Sequence, residues 1–175
     1  MRTRFLKMSS KEKFTSVQQA YSCALDLLSY RDYSEQRLRE RLQRKGAEEE
    51  QADEAIAKLR RYGLVDEQRY AECVYEAWLG KRCYGRLHLQ AELQKKGVRQ
   101  ELISEILQRF TPELEEMRAE NAAELFLQRN RLKLAGARQN DKKIYAAAGR
   151  FMASRGFSSR YMTILLEKLR SDNDI

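Results

Sequence analysis

The segment LQRKG at residues 42–46 returns as LQKKG at 93–97, and the repetition is wider than five letters. RDYSEQRLRERLQRKGA (31–47) lies over RCYGRLHLQAELQKKGV (82–98) without a gap, and seven of the seventeen positions are identical. A fainter copy, MASRGF, occupies 152–157. Counting forward from Gly46, Gly97 and Gly156, position +1 is Ala47, Val98 and Phe157, and position +6 is Ala52, Ile103 and Met162. Positions +10 and +13 are Ile56, Leu107, Leu166 and Leu59, Phe110, Leu169. These offsets describe one face of a 3.6-residue helix that begins shortly after each glycine. A chain that writes this pattern three times is a tandem of helical units, each burying a face that it cannot cover alone.

Composition agrees with an all-α reading, because a single proline and eight glycines leave little punctuation for a many-stranded sheet. The spacing predicts three repeats of three helices: repeat one over 14–62, repeat two over 63–110 and repeat three over 111–170. A basic tail over 1–13 precedes them, with five Lys/Arg against one Glu, and a polar end over 171–175 follows. Within the repeats, helices are expected at 14–30, 35–45, 49–61, from Asp66 to about Lys81, and at 85–96, 100–110, 113–134, 141–154 and 158–170. Ser34 and Asp66 are the expected N-caps, and the three repeated glycines are expected at φ > 0, where a helix ends and the chain reverses. LAGARQND (134–141) reads as a loop.

The net charge is +8, which favours a polyanionic partner without choosing among nucleic acid, an acidic protein surface and an anionic membrane. Arg37, Arg41 and Arg44 recur at i, i+4 and i+7 with Lys45 beside them; the matching places in repeat two are His88, Glu92, Lys95 and Lys96, and Arg82 and Arg86 add cations ahead of them. The eight Lys and Arg residues among these form the candidate binding set. The alternative is a plain solvated helix face. A helix-turn-helix reader is disfavoured, because the third helices begin EEEQADE and RQELISE and would bring carboxylates to phosphate. Tyr33 and Tyr84, at matching helix junctions, are candidates either for stacking bases or for covering the hinge, whereas Trp78 aligns with Leu27 and belongs to the core.

Catalysis has no foothold in the pattern: GxxxxGK[ST], HExxH and GxSxG are all missing, and His88 stands alone at a position expected to be solvated. Cys23, Cys73 and Cys83 form no CxxC pair, so reduced thiols are expected and no metal or cofactor. No stretch approaches eighteen apolar residues, so a cytoplasmic protein that neither enters nor needs a membrane is expected.

VDEQRYA (65–71), the RDYS and RCYG junctions, LQRKG, LQKKG and RFMASRGFS (150–158) together resemble the RecX family of bacterial regulatory proteins, in order and at compatible spacing over roughly 20–170. The resemblance implies three tandem three-helix repeats stacked into an elongated, curved body. It also implies a non-enzymatic monomer that binds the RecA recombinase filament across neighbouring subunits. Restraint of ATPase, strand-exchange and coprotease activities in DNA repair, recombination and the SOS response would follow, with contact to single- or double-stranded DNA in some members. No catalytic residue and no residue-level contact set comes with it. The acidic run 48–50 and the weakly basic second helix of repeat three depart from the usual pattern. The competing reading from charge alone is a nonspecific DNA-binding helical-repeat protein.

Overall fold

In the computed structural model, which describes residues 13–135 and 142–171, every regular element is an α-helix. They are α1 (Val17–Tyr30), α2 (Glu35–Lys45), α3 (Glu49–Arg61), α4 (Glu67–Leu79), α5 (Arg86–Lys95), α6 (Gln100–Gln108), α7 (Pro112–Ala135), α8 (Lys142–Ser154) and α9 (Ser159–Ser171). The segments read as a basic tail, as the LAGARQND loop and as a polar end lie wholly or mostly outside the described residues.

Local chemistry sets these boundaries. The Ser34 and Asp66 side chains accept the N–H groups of Arg37 and Arg69 at 3.2 and 2.9 Å, and so cap α2 and α4. α1 begins three residues later than its apolar pattern suggests, because Ser16 takes the cap position and accepts from the Gln19 N–H. Phe14 is left outside the helix, with its N–H on the Gly46 carbonyl at 2.9 Å. Ahead of α3, the Glu48 N–H donates to the Gln51 side chain at 3.0 Å. Gly46, Gly97 and Gly156 have φ of 114°, 74° and 77°, the left-handed turn expected of them, and Gly63 joins them at 69°.

By its internal packing the chain divides into two compact units, 1–70 and 71–175. The first is one three-helix repeat, whose core joins Ala20 and Ala24 of α1 to Leu38 and Leu42 of α2 and to Ala52, Ala55, Ile56 and Leu59 of α3. The alanines let α1 and α3 approach closely, with bulkier side chains filling the third corner. The second unit holds two further repeats. Trp78 of α4 packs edge-on against Phe110 with ring centroids 5.6 Å apart, and α7, α8 and α9 share a core of Ala119, Ala122, Ala123, Phe126, Met152, Phe157, Leu165 and Leu169. In repeat three the buried stripe is turned slightly: Tyr161 and Leu165 are buried while Met162 and Leu166 are half-buried.

Candidate functional site

On α2 the cationic face is less free than its spacing suggests. Glu40 draws the Arg37 guanidinium to 2.6 Å and the Arg44 guanidinium to 3.9 Å. The hydrogen bond from Arg37, with further help from the charges of Arg37 and Arg44, holds the Glu40 carboxyl below the usual range. Arg39 pairs with Asp53 across to α3. Each such exposed pair is worth at most about 1 kcal/mol, so it directs charge more than it stabilises. What remains is Arg41, half-buried and without an ion pair to any described residue, Arg44, exposed and held only by its longer contact with Glu40, and Lys45 at the helix end. Lys45 borders an open groove of about 540 Å³ shared with Ser16, Gln19, Ser22, Cys23 and Asp26. Burial pushes the Cys23 thiol up from its ordinary value, and the Lys45 charge opposes that rise.

In the second unit, the candidates separate by role. Arg82 is exposed, as are Lys95 and Lys96, which sit at the C-terminal end of α5 where a positive charge complements the helix dipole. Arg86 is half-buried, and its guanidinium is turned to backbone. Its guanidinium donates to the Leu107 and Phe110 carbonyls at the end of α6, and its backbone N–H donates to the buried Glu115 carboxylate at 3.1 Å. The carbonyls at a helix end lack partners inside the helix, and an arginine folded back on them satisfies that need. Arg86 therefore leaves the surface set and becomes part of the scaffold.

Sequence reasoning missed the residue that organises this region. Arg118 of α7, 3% exposed, donates to the carbonyls of Leu79 (3.3 Å), Lys81 (2.6 Å) and Tyr84 (3.0 Å), and its guanidinium lies 4.4 Å from the Trp78 ring centroid. Arg155 completes the surround, 4.9 Å from the Tyr84 ring and 4.3 Å from that of Phe151. Only the apolar setting of Arg118, between Met117 and Ala119 in the helix, hinted at a buried arginine.

His88, expected in solvent, is instead half-buried: Trp78 donates its indole N–H to His88 Nδ1 at 2.9 Å, and the Tyr84 ring lies 4.2 Å away. Burial first, then the charge of Lys81 and more weakly that of Arg155, lowers its pKa, against Glu92. The cause is a close approach of backbone, with the Gly85 N–H on the Arg155 carbonyl and the Leu87 N–H on the Gly156 carbonyl at 2.9 and 3.1 Å. Tyr84 thus covers a hinge, with one side of its ring taken up by Arg155 and His88. Tyr33 is half-buried, with the Arg31 guanidinium 4.7 Å from its ring.

Among the described residues no group of His, Cys, Asp and Glu could hold a metal ion, and no helix is long and apolar enough to cross a membrane. What the arrangement offers is binding by surface charge. The family model for the RecX first three-helix domain matches residues 20–59. A regulatory protein RecX of Trichlorobacter lovleyi is 33% identical over 148 residues, 85% of this chain and 94% of the relative. That of Mycolicibacterium smegmatis is 31% identical, covering 82% and 76%. A crystal structure of regulatory protein RecX superposes with a TM-score of 0.71 at 25% identity, over 86% of this chain and 73% of the other. The crystal structure of RecX from Lactobacillus salivarius gives 0.69 at 20% identity, over 87% and 96%.

Proposed function

The chain belongs to the RecX family of regulatory proteins, which are not enzymes, and from that premise we propose that it binds the RecA recombinase filament and restrains its ATPase, strand-exchange and coprotease activities. The observation that supports this reading is that its likeness to a regulatory protein RecX runs along nearly the whole of both chains, so it embraces all three repeats. The protein acts as a monomer in the cytoplasm, through many weak contacts distributed over the repeats. The contacts from the first repeat come from Arg41, Arg44 and Lys45. Arg82, Lys95 and Lys96 serve the second.

The test is to titrate the protein into RecA hydrolysing ATP on single-stranded DNA. Hydrolysis is expected to fall at protein concentrations well below those that coat the DNA. Replacing Arg41, Arg44 and Lys45 together by Glu should raise the concentration needed by about tenfold while helicity holds, since Glu and Arg have similar helix propensity. Unchanged hydrolysis with the wild-type chain, at any concentration short of coating, would discard the reading. Strong DNA binding without that effect would favour the nonspecific DNA-binding alternative.

A further inference from the structure

Two ion pairs of α2 tie it to α3, Glu35 with Arg60 at 3.6 Å and Arg39 with Asp53. Glu40 makes no such tie. Its carboxylate reaches Arg37 at 2.6 Å and Arg44 at 3.9 Å, one turn to either side on its own helix, and accepts from the Gln36 amide at 3.2 Å. The hydrogen bond from Arg37, with the charges of Arg37 and Arg44, holds the Glu40 carboxyl below its ordinary range, so it keeps its charge at any neutral or mildly acidic pH.

The repeat itself does not ask for a carboxylate there. The matching place is Ala91 in repeat two and Arg150 in repeat three, both exposed. Relief of repulsion among the arginines is a weak reason for one, because exposed pairs at this spacing contribute little to a helix. What Glu40 does decide is what a partner must displace. Arginine meets a carboxylate through a planar fork of N–H donors, and Glu40 already occupies that fork on Arg37 and borders the one on Arg44. An acidic partner that takes these guanidiniums exchanges one carboxylate for another, and the count of charged contacts hardly changes. A contact that gains little by itself tells only when several form at once, which suits a chain of three repeats.

We propose that Glu40 is an internal competitor, holding Arg37 and Arg44 against capture by the carboxylates of an acidic protein surface and so keeping the α2 face weak. This rests on the regulatory reading above, in which that surface belongs to the filament. The probe is a labelled oligoglutamate peptide, followed by fluorescence anisotropy at low salt with the full chain and no RecA present. Glu40→Gln should tighten binding by about three- to fivefold, the range that one exposed ion pair allows. Glu49→Gln, which removes an equal charge from the start of α3, should change it by less than about twofold. The gain should vanish when Arg37 and Arg44 are both Gln, since nothing is then left for Glu40 to hold. Glu40→Ala, the residue of repeat two, carries the same test should the Gln variant lose helicity. On RecA hydrolysing ATP with single-stranded DNA, the Glu40 variant should restrain hydrolysis at a concentration lower by a similar factor. Unchanged peptide affinity in a fully helical Glu40 variant overturns the proposal, as does an equal gain from Glu49→Gln or a gain that survives loss of both arginines. A gain seen with an oligodeoxynucleotide and not with the peptide also overturns it, because the face then takes phosphate. If the peptide results hold while neither protein alters hydrolysis, the filament reading falls and the role of Glu40 stands.

Discussion

Gly85 and Gly156 are glycines for different reasons, and substitution separates them. A Cβ on Gly156 would stand 2.2 Å from the His88 nitrogen and within 2.8 Å of its Cα, and φ there is +77°. Gly63, at φ +69°, has nothing within 4 Å of the same atom. Gly63→Ala should therefore cost only left-handed strain, about 1 kcal/mol, and Gly156→Ala that strain plus a backbone collision, about 3 kcal/mol or more. Gly85→Ala falls between, since φ is an ordinary −93° while its Cβ would meet the Gly156 carbonyl and the Phe157 ring at 2.6 Å. Urea midpoints rank the three; equal losses at Gly63 and Gly156 would mean that the junction can open. The histidine pinned there makes stability depend on pH. His88 accepts from Trp78 only while Nδ1 is unprotonated, and its folded pKa lies below the ordinary 6.5. Between the two values the unfolded chain holds the extra proton, so the stabilisation is complete above 6.5 and is lost as the pH falls through the folded value. The melting temperature should drop on acidification from about pH 7.5 to about pH 5.5, before most carboxylates titrate. His88→Gln, whose carbonyl can accept the same hydrogen bond and never charges, should flatten that drop. Parallel profiles for the two proteins would show that His88 does not contribute it.

At the scale of elements, what the sequence makes legible is whatever repeats or acts locally. Helix order and the three reversing glycines follow from a pattern written three times, and Ser34 and Asp66 as caps follow from residue types whose role is local although neither is repeated. α1 starts late because two adjacent polar residues compete for its cap, and the choice of Ser16 over an earlier start leaves no mark in apolar periodicity. The roles of Arg86, Arg118 and His88 are not local. Each depends on which carbonyl or ring another helix brings near, and none has a counterpart of the same type at the matching place in the other repeats: Arg86 aligns with Glu35 and His88 with Arg37. The α2 face was visible as a spacing of cations, but Glu40, one turn from both Arg37 and Arg44, spends much of that charge inside the helix.

For the whole molecule, the decisive difference between the two compact units is what each requires to complete its core. The first unit's core residues run from Ala20 to Val65, so a chain ending at Phe110 retains all of them. The second unit does not survive that cut. Loss of α7, α8 and α9 strips Arg118 from the Leu79, Lys81 and Tyr84 carbonyls, Glu115 from the Arg86 N–H, and the backbone partners of Gly85 and Leu87 at Arg155 and Gly156. Water can take up the freed carbonyls and N–H groups, but the cut also uncovers the Trp78 ring and the Gly85 turn that Arg118 and Phe157 cover, and a small helical repeat has little stability to spare. The single tryptophan, Trp78, sits in the affected repeat, under the Arg118 guanidinium, and so separates the two outcomes. In the 1–110 chain its fluorescence should be shifted to the red in buffer alone, or lose its transition at low urea. Far-UV circular dichroism of the same sample should keep a cooperative step from the first repeat. Should the fluorescence and dichroism transitions of 1–110 coincide, as sharp and as late as in the full chain, repeat two folds without repeat three and the arginine-to-carbonyl contacts are incidental to it.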